Sequence, residues 1–221
     1  GGYSFVKSGA NGRIIRYHFN SDDTPGRYVY LRDDETKDFW SASWQPVAKP
    51  LDTYKSECRH GTAYTNIAAD YAGIHSEVLY YVPLNKTYEV WRAKITNTTD
   101  KVRKISAFGY AEFTNDSNYE QDQVNLQYTL FITRTSFKNN MIVQSINENC
   151  GKNEEGNNWR ERFFAMAGAP VTSYNGDKAA FLGNYHTYGN PVAVENGACD
   201  NVLNYNSNGC GALHTALTLQ P

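Results

Sequence analysis

The chain has 221 residues, a formal net charge of −2 and no long basic run, a balance that argues against nucleic acid or an anionic membrane surface as its main partner and favours small neutral ligands. The length fits one all-β domain spanning residues 1–221, with enough chain to bury a sizeable core. No apolar stretch approaches the roughly 18 residues of a membrane span, and Gly1-Gly2-Tyr3-Ser4-Phe5 lacks the charged-then-apolar pattern of a signal peptide.

In chain order, Tyr3 to Lys7 and Arg13 to Tyr17 read as short strands around the turn Ser8-Gly9-Ala10-Asn11-Gly12. Thr24-Pro25-Gly26 leads into the alternating strand Arg27 to Arg32, and Asp33-Asp34-Glu35-Thr36 turns the chain back towards Phe39-Trp40. An irregular segment, Ser41 to Pro46, follows. Trp40 and Trp44 either cap the end of a sandwich core or stack on a sugar ring, with capping preferred. Thr62 to Ala68, Gly73 to Pro83, Thr87 to Asn97 and Lys101 to Phe113 are β-branched or aromatic runs separated by turn signals. In the third of these runs, Trp91, Ala93 and Ile95 share one face by the period-two rule and should be buried. Leu126 to Phe137 and Met141 to Asn147 read as a hairpin about Lys138-Asn139-Asn140, Trp159 to Gly168 as a further strand, and Leu213 to Leu219 as the last. Tyr174-Asn175-Gly176-Asp177 is a turn signal, and Phe181 to Cys210 has no clear periodicity. Regular strands with almost nothing at helical spacing indicate an antiparallel sandwich.

The four cysteines, Cys58, Cys150, Cys199 and Cys210, have no C-x-x-C spacing, so a zinc knuckle or thioredoxin-type site is not expected and the thiols are read as reduced. Three N-x-S/T triplets, at Asn85, Asn97 and Asn115, would fit the competing case of a secreted protein with two disulfides, but in an Asn-rich chain such triplets arise by chance. No G-x-S-x-G elbow, H-E-x-x-H helix, P-loop or G-x-G-x-x-G follows a suitable strand. Cys58-Arg59-His60-Gly61 can look like a reactive thiol site; hydrogen bonding of Arg59 and His60 to neighbouring loops is the simpler account. Acidic pairs such as Asp33-Asp34 and Glu154-Glu155 sit in turns, with no hint of two carboxylates facing a substrate.

The stretch Glu112 to Tyr128, EFTNDSNYEQDQVNLQY, stands apart. A tight hairpin needs two to five residues, whereas roughly a dozen polar ones intervene between Phe113 and Leu126. Asn115, Gln123, Asn125 and Gln127 supply paired donors and acceptors, Asp116, Glu120 and Asp122 supply acceptors, and Tyr119 and Tyr128 supply flat faces with a hydroxyl. This is chemistry suited to sugar hydroxyls, although composition by itself favours a solvated surface loop.

Gly1-Gly2-Tyr3-Ser4-Phe5, Arg27 to Asp33, Phe39 to Val47 and Cys58-Arg59-His60-Gly61 resemble the N-terminal region of the cellobiose phosphorylase family, inverting glycoside phosphorylases once grouped as family 36 glycosyltransferases. The resemblance continues through Tyr81-Val82-Pro83, Lys94 to Thr98 and Glu112-Phe113, and more loosely through Trp159 to Arg162 and Phe181-Leu182-Gly183. It implies a β-supersandwich similar to galactose mutarotase, normally followed by a helical linker and an (α/α)6 barrel. Both are expected to be absent from this chain, which is expected to be truncated at both ends and inactive alone. The resemblance also implies an intact cytoplasmic, homodimeric bacterial enzyme of the hexosyltransferase type. Its barrel carries a general-acid Asp, and inorganic phosphate attacks a β-linked glucosyl disaccharide or oligosaccharide with inversion, without metal or other cofactor.

Family members of the cellobiose type carry Asn-Phe-Gln-Arg at the end of the excursion, where it helps shape the acceptor site; the matching residues are Asn125, Leu126, Gln127 and Tyr128. Asn115, Asn125, Gln127 and Tyr128 are accordingly the expected substrate-binding residues, and acceptor recognition then ranks above the plain surface loop. Tyr128 replaces an Arg, exchanging a charged planar fork for a ring with one hydroxyl, which turns the expectation away from cellobiose itself. The competing class is a free-standing carbohydrate-binding module, with Trp40, Trp44, Tyr119 and Tyr128 as its exposed aromatics. A mutarotase-like enzyme acting alone rests on fold analogy only.

Overall fold

The computed structural model describes residues 12–16, 26–116, 119–124, 126–147 and 159–221. Its elements begin with strands β1 (Arg27–Asp33), β2 (Phe39–Ser41), β3 (Lys55–His60), β4 (Tyr64–Tyr71), β5 (Ile74–Tyr81), β6 (Val90–Asn97) and β7 (Arg103–Glu112). Two short helices follow, α1 (Tyr119–Val124) and α2 (Leu126–Phe131), then β8 (Thr133–Lys138), β9 (Met141–Asn147), β10 (Trp159–Ala165) and β11 (Ser173–Asp177). The chain closes with α3 (Lys178–Leu182), α4 (Val192–Asn196) and β12 (Gly209–Leu219). The strands form three antiparallel sheets, ordered β11-β12-β7-β1-β2, β10-β9-β8 and β3-β4-β5-β6.

The five-stranded sheet is the middle layer, and this explains why β1 and β7 are buried on both sides. The register places Tyr28 beside Tyr110 and Tyr30 beside Phe108 on one face, and Val29 and Leu31 beside Gly109 and Ala107 on the other. The aromatic face packs under Phe181 and Leu182 of α3 and Ala193 and Val194 of α4. The opposite face meets both other sheets. Leu31 and Ile105 pack with Trp40, Ala69 and Ile74 towards the four-stranded sheet, and Phe113 and Leu213 pack with Ile142 towards the three-stranded one. Phe164 of β10 crosses the middle sheet at Gly109 and Gly211, where an added Cβ would stand 2.9 and 2.5 Å from the nearest Phe164 atom. The same ring lies 5.2 Å from Trp91 of β6 and so ties the two outer sheets together.

Several expectations are corrected. Leu126 to Phe131 is helical: Thr129 is fully buried while Phe131 is 68% exposed, so burial there does not alternate as a half-buried strand requires. Trp91 and Ile95 reach the core, but Ala93 of β6 is exposed. Tyr174 to Asp177 belongs to β11. Asn175 is fully buried and its Oδ1 accepts from the amides of Asp200 and Val202, and a Cβ on Gly176 would meet Thr135 Oγ1 at 2.2 Å. The Asn-Gly pair thus serves a close approach between layers, with a register shift between Asn175 and Asp177. Lys55 to His60, unassigned in sequence apart from its Cys-Arg-His motif, is the edge strand β3, exposed along its whole length.

The unreadable 181–210 segment holds the end of α3 and all of α4. Asp177 caps α3 by accepting from the Ala180 amide at 3.0 Å, and α4 ends at Gly197 in the left-handed region at φ 78°, both ordinary helix-end chemistry. Cys58, Cys199 and Cys210 are free thiols, the last two buried. Of the three triplet asparagines, Asn97 and Asn115 are seated inside, with Asn97 Nδ2 donating to the Lys101 carbonyl at 2.6 Å. Cys150 and the first expected strand, Tyr3 to Lys7, lie outside the described residues; of the second, residues 13–16 are described, and Ile15 forms an antiparallel bridge with Phe113.

Candidate functional site

β7 delivers Glu112 to the end of the aromatic face, where its side chain is fully buried. A carboxylate there requires partners, and they converge from across the chain. Lys178 Nζ, at the start of α3, donates to Glu112 Oε1 at 2.9 Å, Arg16 Nη1 donates to the same oxygen at 3.3 Å, and the Tyr188 hydroxyl donates to Oε2. Burial, followed by the charge of Glu112 and the hydrogen bond to it, raises the Tyr188 phenol well above its ordinary pKa, so it stays protonated and can donate.

Arg16 links this carboxylate to the excursion. Its guanidinium forms a two-pronged fork on Asp122 of α1, Nε to Oδ2 at 3.0 Å and Nη2 to Oδ1 at 2.8 Å, and Nη1 also donates to Asn208 Oδ1 at 2.8 Å. Burial alone would lower the Arg16 pKa, but the hydrogen bond and charge of Asp122, with Glu112 behind them, raise it above its ordinary value. Among the described residues, the carboxylates of Glu112 and Asp122 thus face the cations Arg16 and Lys178. Removing one member would leave a buried charge uncompensated, at a cost of roughly 3–5 kcal/mol.

Asp122 also fixes the backbone at the start of the excursion. Its Oδ1 accepts from the amide of Asn115 at 2.6 Å and from that of Asp116 at 3.4 Å. Among the described side chains of α1, Asp122 alone is buried, and a six-residue helix has little stability of its own. Val124 is 80%, Tyr128 40% and Phe131 68% exposed; the last two are three residues apart within α2 and share one side of it. Gln127 is exposed next to Tyr128.

The four expected binding residues therefore separate. Gln127 and Tyr128 are neighbours on α2 and open to solvent. Asn115 is fully buried; its Nδ2 donates to Asn208 Oδ1 at 3.0 Å, and its Oδ1 has no hydrogen-bond partner among the described residues. Asn125 lies outside the described residues. Arg16, Lys178, Tyr188 and Asn208, which brace the base of the excursion, are not legible in the sequence, because their positions carry no common spacing and only the fold joins them.

Two other expectations are settled by geometry. Trp40 is 1% exposed and belongs to the core, and the Trp44 indole donates to the Lys49 carbonyl at 2.8 Å from a half-buried position, so neither offers the open platform a free-standing binding module would need. At the Cys-Arg-His motif, His60 Nδ1 pairs with Thr65 Oγ1 at 2.9 Å, Arg59 donates to Glu57 at 2.7 Å, and Cys58 Sγ lies 3.4 Å from His60 Nε2. The partners of Arg59 and His60 thus lie on β3 itself and on β4, not on the neighbouring loops expected.

The glycosyl hydrolase 94 supersandwich domain matches residues 1–221. The chain is 41% identical over 222 residues to N,N'-diacetylchitobiose phosphorylase of Vibrio furnissii, covering all of this chain and 27% of that protein. It is 40% identical over 223 residues to the protein of the same name from Vibrio proteolyticus, again covering all of this chain and 27% of the relative. With solabiose phosphorylase of Paenibacillus borealis it shares 31% identity over 195 residues, 88% of this chain and 24% of the other. The chain thus spans about a quarter of the length of the curated relatives it matches. Its all-β antiparallel architecture and the full-length match agree, and the chain belongs to the glycosyl hydrolase 94 family as its supersandwich domain.

Proposed function

We propose that this sandwich is one domain of a cytoplasmic, homodimeric glycoside phosphorylase that cleaves a β-linked disaccharide with inorganic phosphate and inversion, and that residues 115–128 supply part of the acceptor-sugar site. The catalytic acid then lies in another domain, an (α/α)6 barrel, and the sandwich contributes recognition. The observation that carries this reading is the construction of the excursion: an exposed amide and phenol, Gln127 and Tyr128, flanked by exposed Val124 and Phe131, on short helices braced by fully buried charge. A solvated connection gains nothing from exposing two apolar side chains while burying an Arg-Asp fork. In this reading Gln127 and Tyr128, with Asn125, meet the sugar, and Asn115 serves them from beneath.

For the substrate, two relatives at 40 and 41% identity are named for N,N'-diacetylchitobiose, and Tyr128 stands where the cellobiose-type pattern has Arg. Both favour a disaccharide other than cellobiose, with N,N'-diacetylchitobiose the first to assay. The full-length protein should release a sugar 1-phosphate only when phosphate is supplied; free sugar released without phosphate would overturn the reading. Tyr128→Ala should leave donor and phosphate handling intact and lower kcat/KM for the acceptor in the synthetic direction. Loss of one stacking contact and one hydrogen bond is worth roughly 1–3 kcal/mol, or about a five- to 150-fold drop. Tyr30→Ala is the control. Tyr30 is fully buried and its hydroxyl donates to the Tyr188 carbonyl at 2.9 Å, so that variant should lose stability without altering acceptor ranking.

A further inference from the structure

We infer that the Arg16–Asp122 fork is a positioning device that sets acceptor affinity, by fixing the angle at which α1 and α2 leave the sandwich; the inference rests on the acceptor-site reading above. Asp122 is the buried attachment of α1, and its carboxylate is tied at the same time to Arg16, to the backbone amides of Asn115 and Asp116, and to the Gln123 side chain at 3.1 Å. Through Arg16 the fork is anchored to Glu112 and Asn208, which belong to the end of β7 and to the segment just before β12. The base of the excursion is therefore fastened to β7 and to the segment before β12 by directional bonds.

α2 follows α1 after one residue and bears Gln127 and Tyr128, so a tilt of α1 on its seat is passed to the start of α2. Misplacement of a binding group by about 1 Å can cost a factor of about 10². A guanidinium held in a two-pronged fork resists such tilting because both its distance and its plane are fixed. A lysine at position 16 would keep the charge and lose the plane, while an asparagine at 122 would still accept from the Asn115 amide but would turn an amide nitrogen towards Arg16.

The test uses the full-length enzyme in the synthetic direction, comparing Arg16→Lys, Asp122→Asn, Tyr128→Ala and Lys178→Gln. Lys178 joins the network through Glu112 and not through Asp122. The expected result is a five- to fiftyfold rise in acceptor KM for Arg16→Lys and Asp122→Asn with kcat changed less than threefold. Lys178→Gln should lower Tm and leave acceptor KM within twofold. Amide exchange at Asn115 and Asp116 should accelerate in both fork variants, with no change in β5. If the fork variants lose only Tm while Tyr128→Ala raises acceptor KM, the fork is merely structural and the inference fails, although the acceptor site stands. If none of these variants moves acceptor KM, both fail. Should Asp122→Asn not fold, Arg16→Lys and the exchange of the two amides decide the matter alone.

Discussion

His214 shows how burial on the middle sheet becomes a pH dependence. Its ring stacks on Phe108 with centroids 4.5 Å apart, Nδ1 pairs with Ser173 Oγ at 2.9 Å, and Nε2 has no hydrogen-bond partner among the described residues. Burial, helped by Arg32 and opposed by Asp34, holds the imidazole below its ordinary pKa of 6.5. The folded state therefore binds fewer protons than the unfolded one just below that value. Its contribution to stability is complete above about pH 6.5 and is lost as pH falls towards the folded pKa. Urea titrations between pH 5 and 8 should show this decline, and His214→Phe, which keeps a ring on Phe108, should flatten it. An unchanged slope would place the titrating group elsewhere.

At the level of elements, sheets meet where side chains have been removed. Gly211 on β12 leaves room for Phe164 of β10, and an added methyl would stand 2.5 Å from the Phe164 Cβ. Gly211→Ala should cost roughly 1–3 kcal/mol, as overpacking does. Gly168, just after β10, has φ +87° and nothing within 4 Å of an added Cβ. Gly168→Ala should cost about 1–2 kcal/mol through backbone conformation alone. Denaturation midpoints separate the two causes when Phe164→Ala is added: by removing Cγ and Cδ1 it should relieve part of the Gly211→Ala loss and none of the Gly168→Ala loss. The α1–α2 pair obeys a different rule, since its helices are too short to persist alone, and among their described side chains the buried ones are Asp122 and Thr129.

For the whole molecule, one sheet serves as floor for everything else, with α3 and α4 on one face and two smaller sheets on the other. The excursion leaves this body at the end of β7, so in the proposed reading half of the acceptor site belongs to a surface outside the chain. Isothermal titration of the 221-residue chain with cellobiose, other β-glucobioses and N,N'-diacetylchitobiose should then show no binding at millimolar sugar. Millimolar or tighter binding by the sandwich alone would favour a self-sufficient module. Light scattering of the full-length protein should give the mass of a dimer.

Much of the fold follows from local pattern alone. The strands of the middle third, the final strand and the antiparallel class are legible because half-buried strands alternate and turns carry Gly, Asn and Pro, and the family is legible from its motifs. Local pattern fails where tertiary contacts reverse its meaning. Asn175-Gly176 reads as a turn but serves a close approach between layers, Leu126 to Phe131 reads as a strand but meets the body through Thr129, and Lys55 to His60 is a strand with no buried residue to mark it. The polar excursion is visible in sequence as an oddity, whereas its brace is not. Residues 16, 112, 122, 178 and 208 are brought together by strand register and helix placement, and burying charge demands that convergence. Spacing along the chain cannot encode it, because each partner is drawn from a different element.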